Sequence, residues 1–172
     1  MLTKDEKDSL SKIPKNKKVK IITYNTEVTR MAKKIIVSIK TVYPNINIEH
    51  MGASALKISG QNDIDIYAFS DSSDFDEYLL GLIRLFGKPL HKHKTFIEWK
   101  FKKNNFDIEL YLTDKNSETM KRQITVFEQL KNDKDLLREY EILKESMNNK
   151  PFRDYQKKKY EFYHRVLKQY GH

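Results

Sequence analysis

The sequence contains no cysteine, and this absence excludes several kinds of chemistry at once. Without thiols the chain cannot form a disulfide framework, a thiolate zinc site or a cysteine nucleophile. It also lacks a run of about 18 apolar residues, so no segment is predicted to span a membrane. The first 18 residues include no apolar stretch typical of a signal peptide, and we therefore expect a soluble cytoplasmic protein.

The composition of the 172 residues indicates one folded domain with a basic surface. Apolar residues make up 38% and aromatic residues 12%, which is enough to build a hydrophobic core. The net charge is +9 and the isoelectric point is about 9.4. Lysine and arginine release counterions when they neutralise phosphates, so this balance favours a phosphate-bearing partner. The alternative is a solvated lysine-rich surface with no such partner.

Hydrophobic periodicity predicts an α+β chain whose first part is α/β and whose last part is helical. A basic lead-in is expected over residues 1–18, an α/β core over 19–114 and a helical region packed on that core over 115–172. Strands are predicted at 19–24, 46–51, 63–69, 95–101 and 106–112, and a four-residue loop joins the last two. Helices are predicted at 28–42, 73–85, 117–131, 133–147 and 151–169.

The strongest candidate for chemistry is the strand that begins at Asp63. Side chains alternate faces along a strand, so Asp63 and Asp65 point one way while Ile64 and Ile66 point toward the core. Two carboxylates about 7 Å apart, twice the strand rise, can converge on a divalent cation. Mg²⁺ prefers hard oxygen ligands, and this preference suits phosphate chemistry. The alternative is an edge strand with a solvated acidic face.

A second acidic strand strengthens the cation interpretation. Phe106, Ile108 and Leu110 form its apolar face, which leaves Asp107 and Glu109 together on the other face. If the two strands are neighbours with their polar faces aligned, four carboxylates crowd one patch. Such crowding is destabilising, and a bound cation removes the repulsion.

A glycine turn precedes the first acidic strand. Gly52 permits close backbone approach, free N–H groups at the start of a short helix bind phosphate, and the Ser54 hydroxyl adds a further donor. His50, just before the turn, contacts a phosphate or base in one interpretation and is a half-buried strand residue in the other. His91 and His93 have a spacing that suits a metal, but a solvated loop is the favoured interpretation.

These motifs resemble the nucleotidyltransferase superfamily, in which a glycine-serine turn precedes an Asp-x-Asp strand and a third acid follows on a later strand. More narrowly, Ile48–Ser54 (IEHMGAS) is similar to the IEHhGS motif of the GrpB family, in which h is a hydrophobic residue. Lys131–Phe162 resembles that family's C-terminal helices, with Lys159 in a matching place. The segment at 19–25 fits the family's first strand. The chain departs from the family where Gly-Ala-Ser replaces Gly-Ser-Thr and where the later proline and lysine elements are absent.

The resemblance implies a nucleotidyltransferase-like, polymerase-β-like mixed β-sheet backed by helices, with a helical C-terminal portion. It implies a metal-dependent enzyme that moves a nucleoside monophosphate from a nucleoside triphosphate to an acceptor hydroxyl, with RNA or another nucleic acid as one class of acceptor. Mg²⁺ or Mn²⁺ is then expected on Asp63 and Asp65 with Asp107 or Glu109, and the nucleotide on Gly52, Ser54, His50 and Lys159.

The alternatives are a nucleotide- or RNA-binding module without turnover and a small partner-binding domain. The acceptor, the base preference and the oligomeric state are not determined by the sequence.

Overall fold

The computed structural model describes residues 2–170, which form two compact units. Residues 24–57 and 62–121 form an α/β unit, and residues 2–23, 58–61 and 122–170 form a helical unit. The helices and strands, in chain order, are α1 (Lys4–Lys12), α2 (Glu27–Val42), β1 (Asn47–Met51), α3 (Gly52–Ala55), β2 (Asp63–Phe69), a 3-10 turn (Ser72–Asp74), α4 (Phe75–Phe86), β3 (His91–Lys92), β4 (Phe96–Lys103), β5 (Phe106–Thr113), α5 (Glu118–Asn132), α6 (Lys134–Ser146) and α7 (Phe152–Tyr170).

The α/β unit is built on one five-stranded mixed sheet with the order β1-β2-β5-β4-β3. β2 and β5 are parallel central neighbours, and every other pair is antiparallel. The mixed α+β architecture predicted from the sequence is therefore confirmed. The two acidic strands lie side by side although about 40 residues separate them in the chain.

Strict alternation along β2 and β5 separates an apolar face of the sheet from a polar one. Ile64, Ile66, Ile108 and Leu110 are fully buried in the core, together with apolar residues of α2 and α4. Burial of each such side chain stabilises the fold by about 1.5–3 kcal/mol. The apolar face therefore fixes the strand register, because a one-residue slip would turn these side chains to solvent and the acidic ones to the core.

The hairpin between β4 and β5 is tighter than its sequence suggested. Asn104 and Asn105 have φ values of 49° and 66°, and β4 ends at Lys103 while β5 starts at Phe106. Two central residues with positive φ define a type I′ turn, which asparagine tolerates and which matches the twist of antiparallel strands. The predicted four-residue loop is therefore a two-residue turn. The hairpin brings Lys102 opposite Asp107.

The helical unit contains the one predicted strand that does not join the sheet. Residues 19–24 form one isolated bridge, between Ile22 and Gly60, and the preceding Lys18 forms another with Pro151. Val19 is nonetheless buried, with Met147 and Tyr155 in a small apolar cluster. The strand predicted over residues 19–24 is therefore wrong, although its β-branched residues include the buried Val19 and Ile21. Within residues 2–170 no helix is both long and apolar enough to cross a membrane.

Candidate active site

The parallel pairing of β2 and β5 places four acidic residues in two directly opposed pairs. Asp63 lies opposite Asp107, and Asp65 lies opposite Glu109. Directly opposed residues project on the same face of a sheet, so all four side chains lie on its polar face. Each of them is partly buried. The arrangement required by the sequence argument, two acidic pairs on neighbouring strands, is present.

Two lysines from β4 lie next to these carboxylates on the same face. Lys100 is directly opposite Glu109, and Lys102 is directly opposite Asp107. The Lys100 ammonium forms an ion pair and hydrogen bond with Glu109 Oε1, and Lys102 Nζ lies 3.5 Å from Asp107 Oδ1. The charge of the β5 acids is therefore compensated by the chain's own ammonium groups.

Lys100 is surrounded by negative charge. Burial lowers the pKa of its amine, but the hydrogen bond and charge of Glu109, together with the charges of Glu98 and Asp63, outweigh this effect and raise the pKa above its usual value. The amine is therefore fully protonated at neutral pH. It acts as a cation fixed beside the acidic pairs.

The second oxygen of Glu109 is also occupied. The Tyr111 hydroxyl lies 2.9 Å from Glu109 Oε2 and 3.2 Å from Glu98 Oε1, and it donates its single proton to one of them at a time. Burial, followed by the charges of Glu109, Tyr67 and Glu98, raises the pKa of Tyr111 far above its usual value, so the hydroxyl remains a donor. The Tyr111 ring stacks on the Tyr67 ring with centroids 4.9 Å apart, so a pair of aromatic rings lies next to the acidic pairs on the polar face.

The donor chemistry of the four acids suits a hard divalent cation. All four candidate ligands are carboxylates, which Mg²⁺ and Mn²⁺ prefer. Among the described residues, however, no group of three or more His, Cys, Asp or Glu side chains stands ready to hold a metal ion. A cation at Glu109 Oε1 would also have to displace the Lys100 ammonium.

Gly52 brings the backbone against the Asp65 carboxylate at the start of α3. Its φ is +78°, in the region that glycine adopts without strain. A Cβ at this position would lie 2.3 Å from Asp65 Oδ2, closer than any real contact. Position 52 therefore requires glycine for two reasons: its backbone conformation is strained for other residues, and the Asp65 carboxylate occupies the space that a Cβ would need.

We expect Gly52→Ala to lower the thermal midpoint more than Gly87→Ala does. Gly87 has a similar φ of +82°, but a Cβ there meets nothing within 4 Å. Gly87 has a ψ of −168°, in a region essentially restricted to glycine, and each variant carries a backbone cost of about 1–3 kcal/mol. Only Gly52→Ala also displaces Asp65, so a larger loss of its midpoint, measured by calorimetry, reports the contact with Asp65. Equal losses in the two variants would contradict it.

The predicted phosphate contacts His50 and Ser54 interact with each other. His50 Nε2 lies 2.8 Å from Ser54 Oγ, and both side chains are largely buried. His50 lies opposite Ile66, so it projects on the apolar face, away from the four acids. Burial lowers its pKa to about 4, and the ring is therefore neutral at physiological pH. The neutral ring fixes the orientation of the Ser54 hydroxyl.

The remaining candidates belong to other elements of the chain. Lys159 belongs to α7 of the helical unit, where its ammonium lies 5.6 Å from the centre of the Tyr163 ring. His91 starts the short strand β3 and is exposed, as is His93. Neither histidine belongs to a metal-binding group within the described residues.

Sequence reasoning missed Lys100, Lys102 and Tyr111. A signal for them was present, because Trp99 and Phe101 mark the apolar side of β4 and alternation then assigns Lys100 and Lys102 to the acidic side. The missing step was the hairpin register, which depends on the two-residue turn. With that turn in place, each lysine pairs with one acid.

A family model described as GrpB protein matches residues 18–169. The crystal structure of conserved protein GrpB from Enterococcus faecalis aligns with a TM-score of 0.69 at 13% identity, over 88% of this chain and 99% of that one. A crystal structure of the Cid1 poly(U) polymerase with MgGTP bound aligns with a TM-score of 0.48 at 14% identity, over 77% of this chain and 43% of that one. Among curated proteins, none matches the sequence.

Proposed function

The chain belongs to the GrpB family, and from that premise we propose that it is a metal-dependent nucleotidyltransferase, which moves a nucleoside monophosphate from a nucleoside triphosphate to an acceptor hydroxyl. One observation carries the proposal. Asp63 and Asp65 lie in parallel register with Asp107 and Glu109 on the polar face of the sheet. Lys100 and Lys102 offset part of the repulsion among these carboxylates, and a cluster of acids on one face of a sheet is typical of functional sites.

Asp63 and Asp65 would hold Mg²⁺ or Mn²⁺, and Asp107 or Glu109 would complete the ligand set. When bound, the cations neutralise phosphate charge and stabilise the attacking and leaving oxygens of the displacement. Asp107 is the more available of the two β5 acids, because Lys102 contacts only one of its oxygens and at 3.5 Å. It would orient the acceptor hydroxyl or take its proton.

The glycine turn would position the nucleotide. The Gly52 backbone lies against Asp65, which would hold the cation, so the free N–H groups of the turn would bind a phosphate beside it. Ser54 would donate its hydroxyl to the same phosphate, with the neutral His50 ring as its orienting partner. We assign Lys159 to nucleotide binding through the family match alone. RNA or another nucleic acid is the class of acceptor that we propose.

The second candidate is a module that binds a nucleotide or RNA without turnover. A specific observation favours it: both β5 acids are paired with lysines, and Tyr111 engages the second oxygen of Glu109. A carboxylate that is already neutralised binds a divalent cation less strongly. In this candidate, Lys100 and Lys102 replace the cation that the transferase requires.

The two candidates differ in how a nucleoside triphosphate stabilises the protein. A transferase gains stability only when triphosphate and Mg²⁺ or Mn²⁺ are present together. At a ligand concentration of 100 times Kd the gain is about 2.7 kcal/mol, which raises the thermal midpoint of a chain of this size by about 5–10 °C. A binding module gains the same stability in EDTA. No stabilisation by any triphosphate under either condition would contradict both candidates.

Transfer itself is tested with triphosphates labelled at the α-phosphate, incubated with the protein, Mn²⁺ and either RNA or a cell extract. The proposal predicts that the α-label enters a product and that a γ-label does not, because pyrophosphate leaves. Transfer of the γ-label would indicate phosphoryl transfer instead and overturn the proposal. Stabilisation without transfer of either label would favour the binding module.

A further inference from the structure

The positive charge of the protein is concentrated in the helical unit. Residues 2–23, 58–61 and 122–170 contain 19 Lys and Arg against 11 Asp and Glu, a net charge of +8. Residues 24–57 and 62–121 contain 14 against 13, a net charge of +1. Nearly all of the +9 excess therefore belongs to the unit that lacks the acidic pairs. A charge so unevenly divided indicates an electrostatic function of one unit.

Residues 15–20, which we call the basic strap, supply the densest part of this charge. The strap begins with a turn at Lys15 and Asn16, which the hydrogen bond from the Lys17 amide to the Pro14 carbonyl closes, and from Lys17 it runs beside the turn between α6 and α7, where backbone hydrogen bonds fix it. The Phe152 amide donates to the Lys17 carbonyl at 2.7 Å, and the Val19 amide donates to the Lys150 carbonyl at 3.0 Å. The chain just before the strap is held by Arg153, whose guanidinium donates to the Ser11 and Ile13 carbonyls.

Alternation decides which side chains of the basic strap face solvent. Val19 is buried at 1% exposure, so Lys18 and Lys20 project on the opposite, exposed side. Lys15 precedes them and is exposed, and Lys150 is exposed beside them. Lys18 and Lys20 are about 7 Å apart, twice the strand rise. A row of cations on an ordered backbone is thus presented in a fixed arrangement.

The outward lysines are not neutralised by the protein itself. Among residues 2–170, Lys15, Lys18, Lys20 and Lys150 form no ion pair with a carboxylate. Lys17 is different, because its ammonium lies 4.3 Å from the centre of the Phe152 ring and helps to hold the strap. Four cations without internal partners attract a polyanion, which gains entropy by releasing its counterions.

The chemistry of the surroundings favours a nucleic acid over an anionic membrane. Segments that lie in a membrane surface combine attraction to anionic lipids with apolar side chains that insert between the lipids. Of the large apolar side chains that are exposed in the described residues, only Ile142 belongs to the helical unit, and it lies on α6 rather than on the strap. Phosphate contacts alone position a nucleic acid and do not require a particular base sequence.

We propose that the basic strap and Lys150 form a docking surface for the phosphodiester backbone of a nucleic acid. The inference deepens the proposed function, because it gives a nucleic-acid acceptor a binding surface on this chain. It is nevertheless tested without a triphosphate or a divalent cation, so either proposal can fail while the other stands.

The test measures binding of the full chain to a fluorescent RNA strand, by anisotropy in EDTA, from about 50 mM to about 200 mM salt. The variant Lys15→Gln/Lys18→Gln/Lys20→Gln removes three outward cations and keeps Lys17 and every backbone hydrogen bond. On single strands each lost phosphate contact lowers the salt slope by about 0.7, so the slope is expected to fall by about 2 and the affinity at low salt by at least about tenfold. DNA of the same sequence should behave alike, because the contacts are to phosphates.

The matched control is Lys88→Gln/Lys94→Gln/Lys115→Gln, which changes the net charge equally at exposed lysines of the α/β unit. Its affinity and slope are expected to stay close to those of the unaltered protein. A control loss equal to that of the strap variant would reduce the surface to general charge attraction and overturn the proposal. The proposal would also be overturned if the unaltered protein bound vesicles of anionic phospholipid through the strap but bound neither the RNA nor the DNA strand.

Discussion

Replacement of Asp63 and Asp65 together by asparagine is expected to remove the cation-dependent stabilisation by nucleoside triphosphates and to slow nucleotidyl transfer by about 10²–10³-fold or more. The amide keeps the size of the carboxylate but cannot carry the charge that a divalent cation requires. Losses of this size are typical where one preorganised electrostatic contact to a transition state is removed. The buried side chains of β2 are untouched, so the sheet should form normally.

The fold of this double variant is checked by its thermal midpoint without ligand. Removing two charges relieves repulsion with Asp107 and Glu109 but also removes the attraction between Asp63 and the Lys100 ammonium, so the midpoint is expected to stay close to that of the unaltered protein. The matched control is Glu49→Gln/Glu77→Gln, which removes two exposed acids of the same unit and should leave the triphosphate effect intact. A double asparagine variant that still gains several degrees with triphosphate and Mn²⁺ would contradict the assignment of the site.

The sequence predicted the acidic faces of β2 and β5 because alternation is a local property. Ile64 and Ile66 had to face the core, and this requirement decided the side on which Asp63 and Asp65 lie. The family assignment was also predictable, since the motif at Ile48–Ser54 and the C-terminal helices lie inside the matched residues 18–169. Local pattern and family motif together were sufficient for the fold class.

The pairing of strands was beyond local reasoning. The parallel contact of β2 with β5 joins residues about 40 positions apart, and no periodicity reports such a partner. The same limit explains residues 19–24, whose β-branched pattern predicted a strand although their hydrogen bonds go to Lys150, Asn149 and Gly60. The lysines of β4 were overlooked because their partners depend on the two-residue turn at Asn104-Asn105.

Lys100 and Lys102 supply positive charge at the position where the sequence predicts a bound cation that relieves the crowding of the acids. We therefore expect Lys100→Met to bind Mn²⁺ or Mg²⁺ more tightly than the unaltered protein, by about tenfold to a hundredfold. The Lys100 ammonium occupies one oxygen of Glu109 and repels a divalent ion placed beside it. A unit charge a few ångströms away contributes several kcal/mol at an effective dielectric constant near 20, and solvent screening at this half-exposed side chain reduces that figure.

Titration calorimetry with Mn²⁺ in the absence of nucleotide measures this effect directly. Lys100→Arg keeps the charge and should bind Mn²⁺ as the unaltered protein does. Lys103→Met is the second control, because Lys103 is exposed on β4 but projects from the opposite face of the strand. If Lys100→Met gains affinity and Lys103→Met does not, the ammonium competes with the metal for Glu109, and a triphosphate has to draw Lys100 away before the third carboxylate becomes available. Unchanged Mn²⁺ affinity in Lys100→Met would mean that Glu109 is no metal ligand and would leave Asp107 as the third acid.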